Sequence, residues 1–118
     1  MIINVEAKLR LRLADMMTLT QIEKDEIKRT LADVLSREKE VKRVVVFGSF
    51  VTTPNPHDLD IAVFQDSDEN YLTLAMRYRK DVRPVARRIP VDLIPLKDGV
   101  SGDPFLTEIK KGETVYER

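Results

Sequence analysis

Two short stretches, VVVFGSF at residues 44–50 and DLDIAVF at residues 58–64, decide the fold of this chain and the position of its chemistry. Each contains an apolar run rich in β-branched residues, the pattern of a strand buried on both faces. The first strand stops at Gly48, and the loop at residues 50–57 contains two prolines and an asparagine, which favour turns. We therefore predict two buried strands joined by a loop that opens with one helical turn after Ser49.

A helix is predicted before the first strand. Thr20 and Glu23 have the spacing of a capping box, in which two side chains satisfy free amides of the first helical turn. Apolar residues at helical spacing then mark its buried face: Ile27, Leu31, Val34 and Leu35. Residues 1–17 match both the helical and the strand period. Their composition favours a helix, and we interpret them as an N-terminal arm.

The second half of the chain predicts two more helices and two more strands. A helix at residues 69–82, ended by Pro84, has the apolar positions Leu72, Ala75, Met76 and Val82. VDLIPL at residues 91–96 is the third strand, and ETVYER at residues 113–118 is the last. Between them, Asp103 as N-cap and Pro104 at the first helical position start a helix that Gly112 ends. Its inward residues are predicted to be Phe105, Leu106 and Ile109.

Composition indicates one globular domain. The 118 residues, 42% hydrophobic and 34% charged, suffice for one core, so we predict a single domain over residues 1–118 with its core at 18–118.

Twenty basic residues balance twenty acidic ones, so net charge gives no reason to expect nucleic acid or an anionic membrane. Cysteine is absent, which removes thiolate chemistry. No apolar run is long enough for a membrane span, and the N-terminus is charged, so we expect a cytoplasmic protein.

Three aspartates lie in or next to the predicted apolar strands, where acidic residues are rare. Asp58 and Asp60 are two residues apart, so a strand points both side chains to one face. Their repulsion and desolvation are costly without a cation, and Mg²⁺ suits hard carboxylate oxygens. Asp92 lies alone between Val91 and Leu93, where a shared metal site would explain it. We therefore take all three aspartates as candidate metal ligands.

Gly48 and Ser49 are the other candidate site residues. A residue without Cβ lets backbone amides approach a phosphate, and the Ser49 hydroxyl adds a donor. A helical turn after Ser49 would point more amides at the same place. A phosphate cradle beside two metal-binding carboxylates is equipped for phosphoryl or nucleotidyl transfer by metal-assisted in-line displacement.

In these residues the chain resembles the minimal nucleotidyltransferases of the DNA polymerase beta superfamily. Their pattern is Gly-Ser at a strand end, a variable loop, Asp-x-Asp on the next strand and a third acid on a later strand. VVVFGSF, DLDIAVF and PVDLIP follow that order, and the likeness extends from Thr20 to the terminal VYER. It implies an α+β nucleotidyltransferase fold in two layers (α/β two-layer), a small mixed sheet of about four strands with helices on one face.

The resemblance also implies roles for the site residues. Asp58 and Asp60 would bind two Mg²⁺ ions, Asp92 would complete the catalytic metal and help to activate an acceptor hydroxyl, and Gly48 and Ser49 would hold a nucleoside triphosphate. The implied reaction moves a nucleoside monophosphate, AMP from ATP by default, to a hydroxyl. Similar small proteins act as antitoxins that modify a helical toxin-like protein, and a chain this short suits a protein acceptor.

A second hypothesis is a non-catalytic nucleotide- or protein-binding module with the same fold. Family members commonly have Arg-Gly shortly after the Gly-Ser and a Ser before the first Asp. This chain instead has VTT at residues 51–53 and His57 before Asp58, and the loop is shorter than usual. Edge strands and the N-terminal arm are compatible with a homodimer.

Three features also have purely structural interpretations. Asp92 could form a strand-end ion pair with Arg87 or Arg88, and His57 fits a solvent-facing loop residue better than a catalytic base. A cluster of basic residues fits a solvated helix face, or a patch for an acidic partner, nucleic acid or nucleotide phosphates. Its members are Arg77, Arg79, Lys80, Arg83, Arg87 and Arg88.

Overall fold

The structure, a computed structural model, describes residues 18–118, so the arm predicted for residues 1–17 lies outside the described part. The helices are α1 (Gln21–Ser36), α2 (Ser49–Thr52), α3 (Tyr71–Asp81), α4 (Arg83–Ala86) and α5 (Leu106–Lys110). The strands are β1 (Val41–Phe47), β2 (Leu59–Gln65), β3 (Val91–Lys97) and β4 (Glu113–Glu117). Within this part of the chain, no helix combines the length and apolarity that a membrane crossing needs.

The strands form one mixed sheet in the order β3-β2-β1-β4. β1 is antiparallel to both β2 and β4, whereas β2 and β3 are parallel. Asp60 pairs with Phe47 on one side and with Asp92 on the other. Because paired residues point to the same face of a sheet, the acidic residues of β2 and β3 share one face. The mixed four-stranded sheet predicted from the sequence is confirmed.

The larger core lies on the opposite face of the sheet, under α1, α3 and α4. It is built on branched residues of β1 and β2 and on one stripe of α1, which include Val44, Val46, Ile61, Val63, Ile27, Leu31 and Leu35. The capping box at Thr20 is present, with the Glu23 amide donating to the Thr20 hydroxyl at 3.1 Å. Val34 is only partly buried, at the margin of this core. The strong N-cap and the regular stripe explain why α1 starts where the sequence predicts.

Helix α3 buries only part of the stripe predicted for it, because Ala75 and Val82 are buried but the other two predicted residues are not. Leu74, Ala75 and Tyr78 face the core, whereas Leu72 and Met76 are 64% and 62% exposed. Tyr78 can be buried because its hydroxyl donates to Glu40 Oε2 at 2.7 Å, which satisfies its polar end. The predicted burial of Leu72 and Met76 is therefore wrong, and α3 presents apolar side chains to solvent.

A smaller apolar cluster lies on the aspartate-bearing face of the sheet. It consists of Val45, Phe47, Ala62, Phe64 and Ile109. The last helix begins at Leu106 and not at Pro104, although the Asp103 carboxylate still accepts a bond from the Phe105 amide at 2.8 Å. Phe105 consequently stays 53% exposed, contrary to its predicted inward position. α5 thus covers only part of this face.

A pair of acidic residues joins the end of α1 to the end of α3. Glu38 Oε2 and Asp81 Oδ2 are both buried, and neither accepts a hydrogen bond from any residue in the described range 18–118. Burial raises the pKa of Glu38, with Asp81 and Glu40 adding to the shift, and burial raises the pKa of Asp81 as well. Arg77, whose Nε lies 3.7 Å from Glu38 Oε2, opposes both shifts. The two carboxyls are therefore most stable when one of them is protonated.

We expect Asp81→Asn to stabilise the protein at pH 8. A raised folded-state pKa means that the pair contributes its stability at low pH and loses it as the pH rises through the folded pKa values. An amide can donate to Glu38 without charge, so the gain should be about 1 kcal/mol at pH 8 and should shrink near pH 4.5. Urea unfolding at both pH values measures this. Asp33→Asn, at an exposed ion pair with Arg37, is the control, and equal destabilisation of Asp81→Asn at both pH values would contradict the expectation.

Candidate functional site

Three carboxylates converge at one end of the β2–β3 pair. Asp58 stands just before β2, Asp60 is its second residue, and Asp92 is the second residue of β3. The parallel register places Asp60 directly opposite Asp92, while the two-residue spacing puts Asp58 on the same face as Asp60. One carboxylate oxygen from each residue lies within 4.8 Å of the other two. The structure brings together all three aspartates that the sequence singled out.

The electrostatics of this cluster favour a bound cation. The pKa of Asp60 is raised to about 6, first by burial and then by the charges of Asp58 and Asp92. Across residues 18–118, no lysine or arginine forms an ion pair with the three carboxylates. Three carboxylates without a counter-charge, close enough to share one ion, fit Mg²⁺, which takes hard oxygen ligands.

The alternative of a structural ion pair for Asp92 does not hold. Arg88 instead reaches α1, where its guanidinium lies 3.5 Å from Glu26 and 3.8 Å from Glu23. Asp92 itself is solvent-exposed, so no burial forces it to find a protein cation. Asp92 instead lies beside Asp60 on the aspartate-bearing face of the sheet. A metal ion shared with Asp60 would account for an acidic residue at this position.

Gly48 places the backbone of the β1–α2 turn against Asp60. Its dihedral angles, φ +74° and ψ −150°, belong to a region that only glycine enters readily. A Cβ at this position would overlap Asp60 Oδ2. Two independent constraints therefore require glycine here, and both bring the turn against the carboxylate cluster.

Ser49 and His57, at the two ends of the loop, differ in their surroundings. The Ser49 hydroxyl lies 3.4 Å from Asp58 Oδ1, where it can donate a long hydrogen bond, so the first residue of α2 adjoins the first carboxylate. His57, directly before Asp58 in sequence, is exposed to solvent. The predicted pairing of Gly48 and Ser49 with the aspartates is present, and His57 matches the interpretation as a loop residue.

Residues 29–118 match the model of the family described as polymerase beta, nucleotidyltransferase. The chain belongs to this family. The arrangement of Gly48, Ser49 and the three aspartates is thus the candidate active site of a polymerase beta-type nucleotidyltransferase domain.

A solved structure agrees with this nucleotidyltransferase assignment at the level of the fold. The crystal structure of a candidate nucleotidyltransferase from Sulfolobus solfataricus superposes with a TM-score of 0.53, at 21% sequence identity, over 83% of this chain and 84% of that one. No curated protein matches the chain by sequence. Family membership and fold together support a transferase.

The candidate active site of this nucleotidyltransferase-type domain opens into a cavity of about 470 Å³. Gly48, Asp60 and Asp92 lie along its wall with three further residues, Tyr71, Arg79 and Phe105. The sequence predicted Phe105 to be a core residue and Arg79 to belong to a basic cluster, whereas Tyr71 had no predicted role. Tyr71 and Phe105 come from segments far apart in sequence and are 55% and 53% exposed. No local sequence signal places these residues at the cavity, because the packing of α3 against β3 and of α5 against β1 brings their segments there.

Lys24 of α1 is a further residue that sequence reasoning missed. Its ammonium donates to the carbonyls of Phe50 and Thr53, at 2.6 and 2.7 Å, and lies 5.2 Å from the Phe50 ring centre. A cation on the last carbonyls of a helix satisfies acceptors that the helix cannot. Lys24 therefore fixes α2, and with it Gly48 and Ser49, to the main helix.

We expect Lys24→Met to loosen the turn that carries Ser49. Loss of two charge-assisted hydrogen bonds at a partly buried site should cost about 2–3 kcal/mol of unfolding free energy. Lys28→Met, one helical turn later, loses the ion pairs with Asp25 and Glu113 and should cost at most about 1 kcal/mol. Urea unfolding of the two variants tests the difference. Equal losses would contradict the assigned role of Lys24.

Proposed function

We propose that this protein is a Mg²⁺-dependent nucleotidyltransferase that transfers AMP from ATP to a hydroxyl group of a partner protein. The observation that carries the proposal is the cluster of Asp58, Asp60 and Asp92, which has oxygens within 4.8 Å of one another, beside the turn at Gly48. The membership in the polymerase beta nucleotidyltransferase family supports the reaction class. ATP is the default donor among the nucleoside triphosphates.

Each residue has a defined task in this proposal. Asp58 and Asp60 would hold Mg²⁺ against the phosphates, and Asp92 would complete the ion that serves the acceptor. When bound, Mg²⁺ supplies charge stabilisation at the phosphates and lowers the pKa of a bound hydroxyl. Gly48 lets the backbone approach the triphosphate, and the Ser49 hydroxyl can donate to a phosphate oxygen.

The reaction would be an in-line displacement at the α-phosphorus. The acceptor oxygen forms a new bond to that phosphorus while the bond to the bridging oxygen of the β-phosphate breaks, and pyrophosphate leaves with the electron pair. Asp92, exposed near the start of β3, would take the proton of the hydroxyl and pass it to solvent. The products are the adenylylated acceptor and pyrophosphate.

The acceptor we propose is a helical toxin-like protein, with this chain acting as its antitoxin. The support is the resemblance to small nucleotidyltransferases that work in this way, together with the open cavity beside Asp92. The competing function is a binding module that blocks such a partner without chemistry. VTT at residues 51–53, in place of the usual Arg-Gly, is the feature that favours it.

Labelled ATP separates the two functions. The protein is incubated with Mg²⁺, ATP labelled at the α-phosphate and candidate helical acceptor proteins. Label on one of these proteins, lost when EDTA removes the metal, is the expected result. Complex formation without transfer of label would instead support the binding module.

A further inference from the structure

Several exposed apolar side chains line the cavity or follow its lining residues on α3. Within residues 18–118, the large apolar side chains that are more than half exposed are Tyr71, Leu72, Met76, Phe105 and Ile22. Tyr71 and Phe105 line the cavity, and Leu72 and Met76 follow Tyr71 on α3, whereas Ile22 stands apart on α1. Soluble proteins rarely group exposed apolar side chains unless a partner covers them.

Leu72 and Met76 form an apolar stripe along one side of α3, and two basic residues follow the stripe. They are four residues apart, and Arg79 and Lys80 follow Met76 by three and four residues, so these side chains are neighbours on the helix surface. Arg79 also lines the cavity that contains Asp60. The stripe is therefore connected through Arg79 to the cavity that contains the candidate metal ligand Asp60.

The basic residues of α3 differ in whether they form ion pairs within the protein. Arg77, on the other side of the helix, bonds Glu69 and lies 3.7 Å from Glu38 and 3.5 Å from Glu40. Arg79 and Lys80 have no ion pair with any carboxylate in the described range 18–118. The part of the basic run that lies on α3 thus contains one cation held by ion pairs, Arg77, and two cations that an acidic partner can reach, Arg79 and Lys80.

We infer that the α3 flank, defined as Tyr71, Leu72, Met76, Arg79 and Lys80, is the docking surface for the acceptor protein. The segment of the acceptor protein that binds this flank has apolar side chains that contact Leu72 and Met76 and acidic side chains that pair with Arg79 and Lys80. Charge complementarity selects the acidic partner, and the exposed apolar stripe supplies the contact area. Tyr71 and Arg79 also line the cavity that contains Asp92. A segment bound to the flank could therefore place a hydroxyl near Asp92. The assignment of the segment as acceptor rests on the proposed function.

The test measures binding of short fluorescent peptides by anisotropy, without nucleotide or metal. One peptide is a sequence of leucine and glutamate; the others replace glutamate by lysine, or leucine by serine. The acidic-apolar peptide should bind at least about tenfold more tightly than either of the others, and added salt should weaken its binding. Because no transfer is measured, failure of the proposed reaction leaves this result unchanged.

Paired variants locate the binding surface. Leu72→Asp with Met76→Asp, and separately Arg79→Ala with Lys80→Ala, should each weaken binding of the acidic-apolar peptide by about tenfold or more. Ile22→Asp, at the exposed apolar residue of α1, and Arg29→Ala with Lys39→Ala are the controls and should bind as the parent protein does. Thermal unfolding verifies that every variant is folded.

Three results would overturn the inference. The peptides could bind equally whatever their charge, or the Ile22→Asp control could lose as much affinity as the α3 variants. A single-stranded RNA oligonucleotide could bind more tightly than the acidic peptide and lose affinity with Arg79→Ala, which would assign the flank to nucleic acid. Conversion of a dimer to a monomer by Leu72→Asp with Met76→Asp, seen by sedimentation, would assign the surface to a second copy of the chain.

Discussion

Asp60→Asn is expected to reduce AMP transfer by about 10³-fold or more, because a metal ligand contributes several kcal/mol of charge stabilisation. The same change should raise the unfolding midpoint of the metal-free protein at pH 8. The pKa of Asp60 is raised from 3.8 to about 6, so the folded state loses stability as the pH rises through this range and the full penalty is present at pH 8. A neutral amide removes the penalty. Lower activity with higher stability is the signature of a site built for a cation. Transfer of α-labelled AMP and thermal unfolding measure the two effects.

Asp98→Asn is the matched control for this substitution. Asp98 is an exposed aspartate in the turn after β3, outside the carboxylate cluster. It should transfer AMP like the parent protein and should not gain stability at pH 8. If Asp60→Asn retained transfer, or lost stability without metal, the assignment of Asp60 as a metal ligand would be wrong.

Gly48→Ala is the second substitution with a large expected effect. The methyl group would overlap Asp60 Oδ2, so either the turn or the carboxylate must move. We expect transfer to fall by more than about 100-fold, since misplacing a reacting group by about 1 Å costs that much. The unfavourable backbone angles should add a loss of about 1–3 kcal/mol in unfolding free energy.

Gly99→Ala separates backbone strain from the clash. Gly99 also has a positive φ, +80°, but a Cβ there would meet nothing within 4 Å. It should lose about 1 kcal/mol of stability and keep its transfer activity. Equal activity losses in the two variants would show that strain alone, and not contact with Asp60, explains the effect at Gly48.

The residues that the sequence predicted best are those under strong local constraints. Thr20 and Glu23 define the start of α1 by side-chain bonds within one turn, and the β-branched run before Gly48 has few alternatives to a buried strand. The order of Gly-Ser, Asp-x-Asp and a later Asp places the aspartates on adjacent strands, and the register confirms it with Asp60 opposite Asp92.

The errors concern residues whose position depends on packing between distant segments. Leu72, Met76 and Phe105 are apolar at helical spacing, but periodicity does not say which apolar residues have a neighbouring surface to cover them. Tyr78, whose polar end bonds Glu40 across 38 residues of sequence, takes the buried place instead. The contact of Lys24 with Phe50 and Thr53 is likewise long-range and has no motif. Of these residues, Phe105 lines the cavity, and Leu72 and Met76 belong to the α3 flank.

The central claim is that Asp58, Asp60 and Asp92 bind one divalent-ion position beside the Gly48 turn. Anomalous diffraction from crystals grown with Mn²⁺, a substitute with the same preference for oxygen ligands, and a non-hydrolysable ATP analogue tests it directly. The account predicts a Mn²⁺ peak coordinated by carboxylate oxygens of all three aspartates, with the analogue's phosphates against Gly48 and Ser49. A peak elsewhere, or one from which Asp92 is turned away, would contradict it.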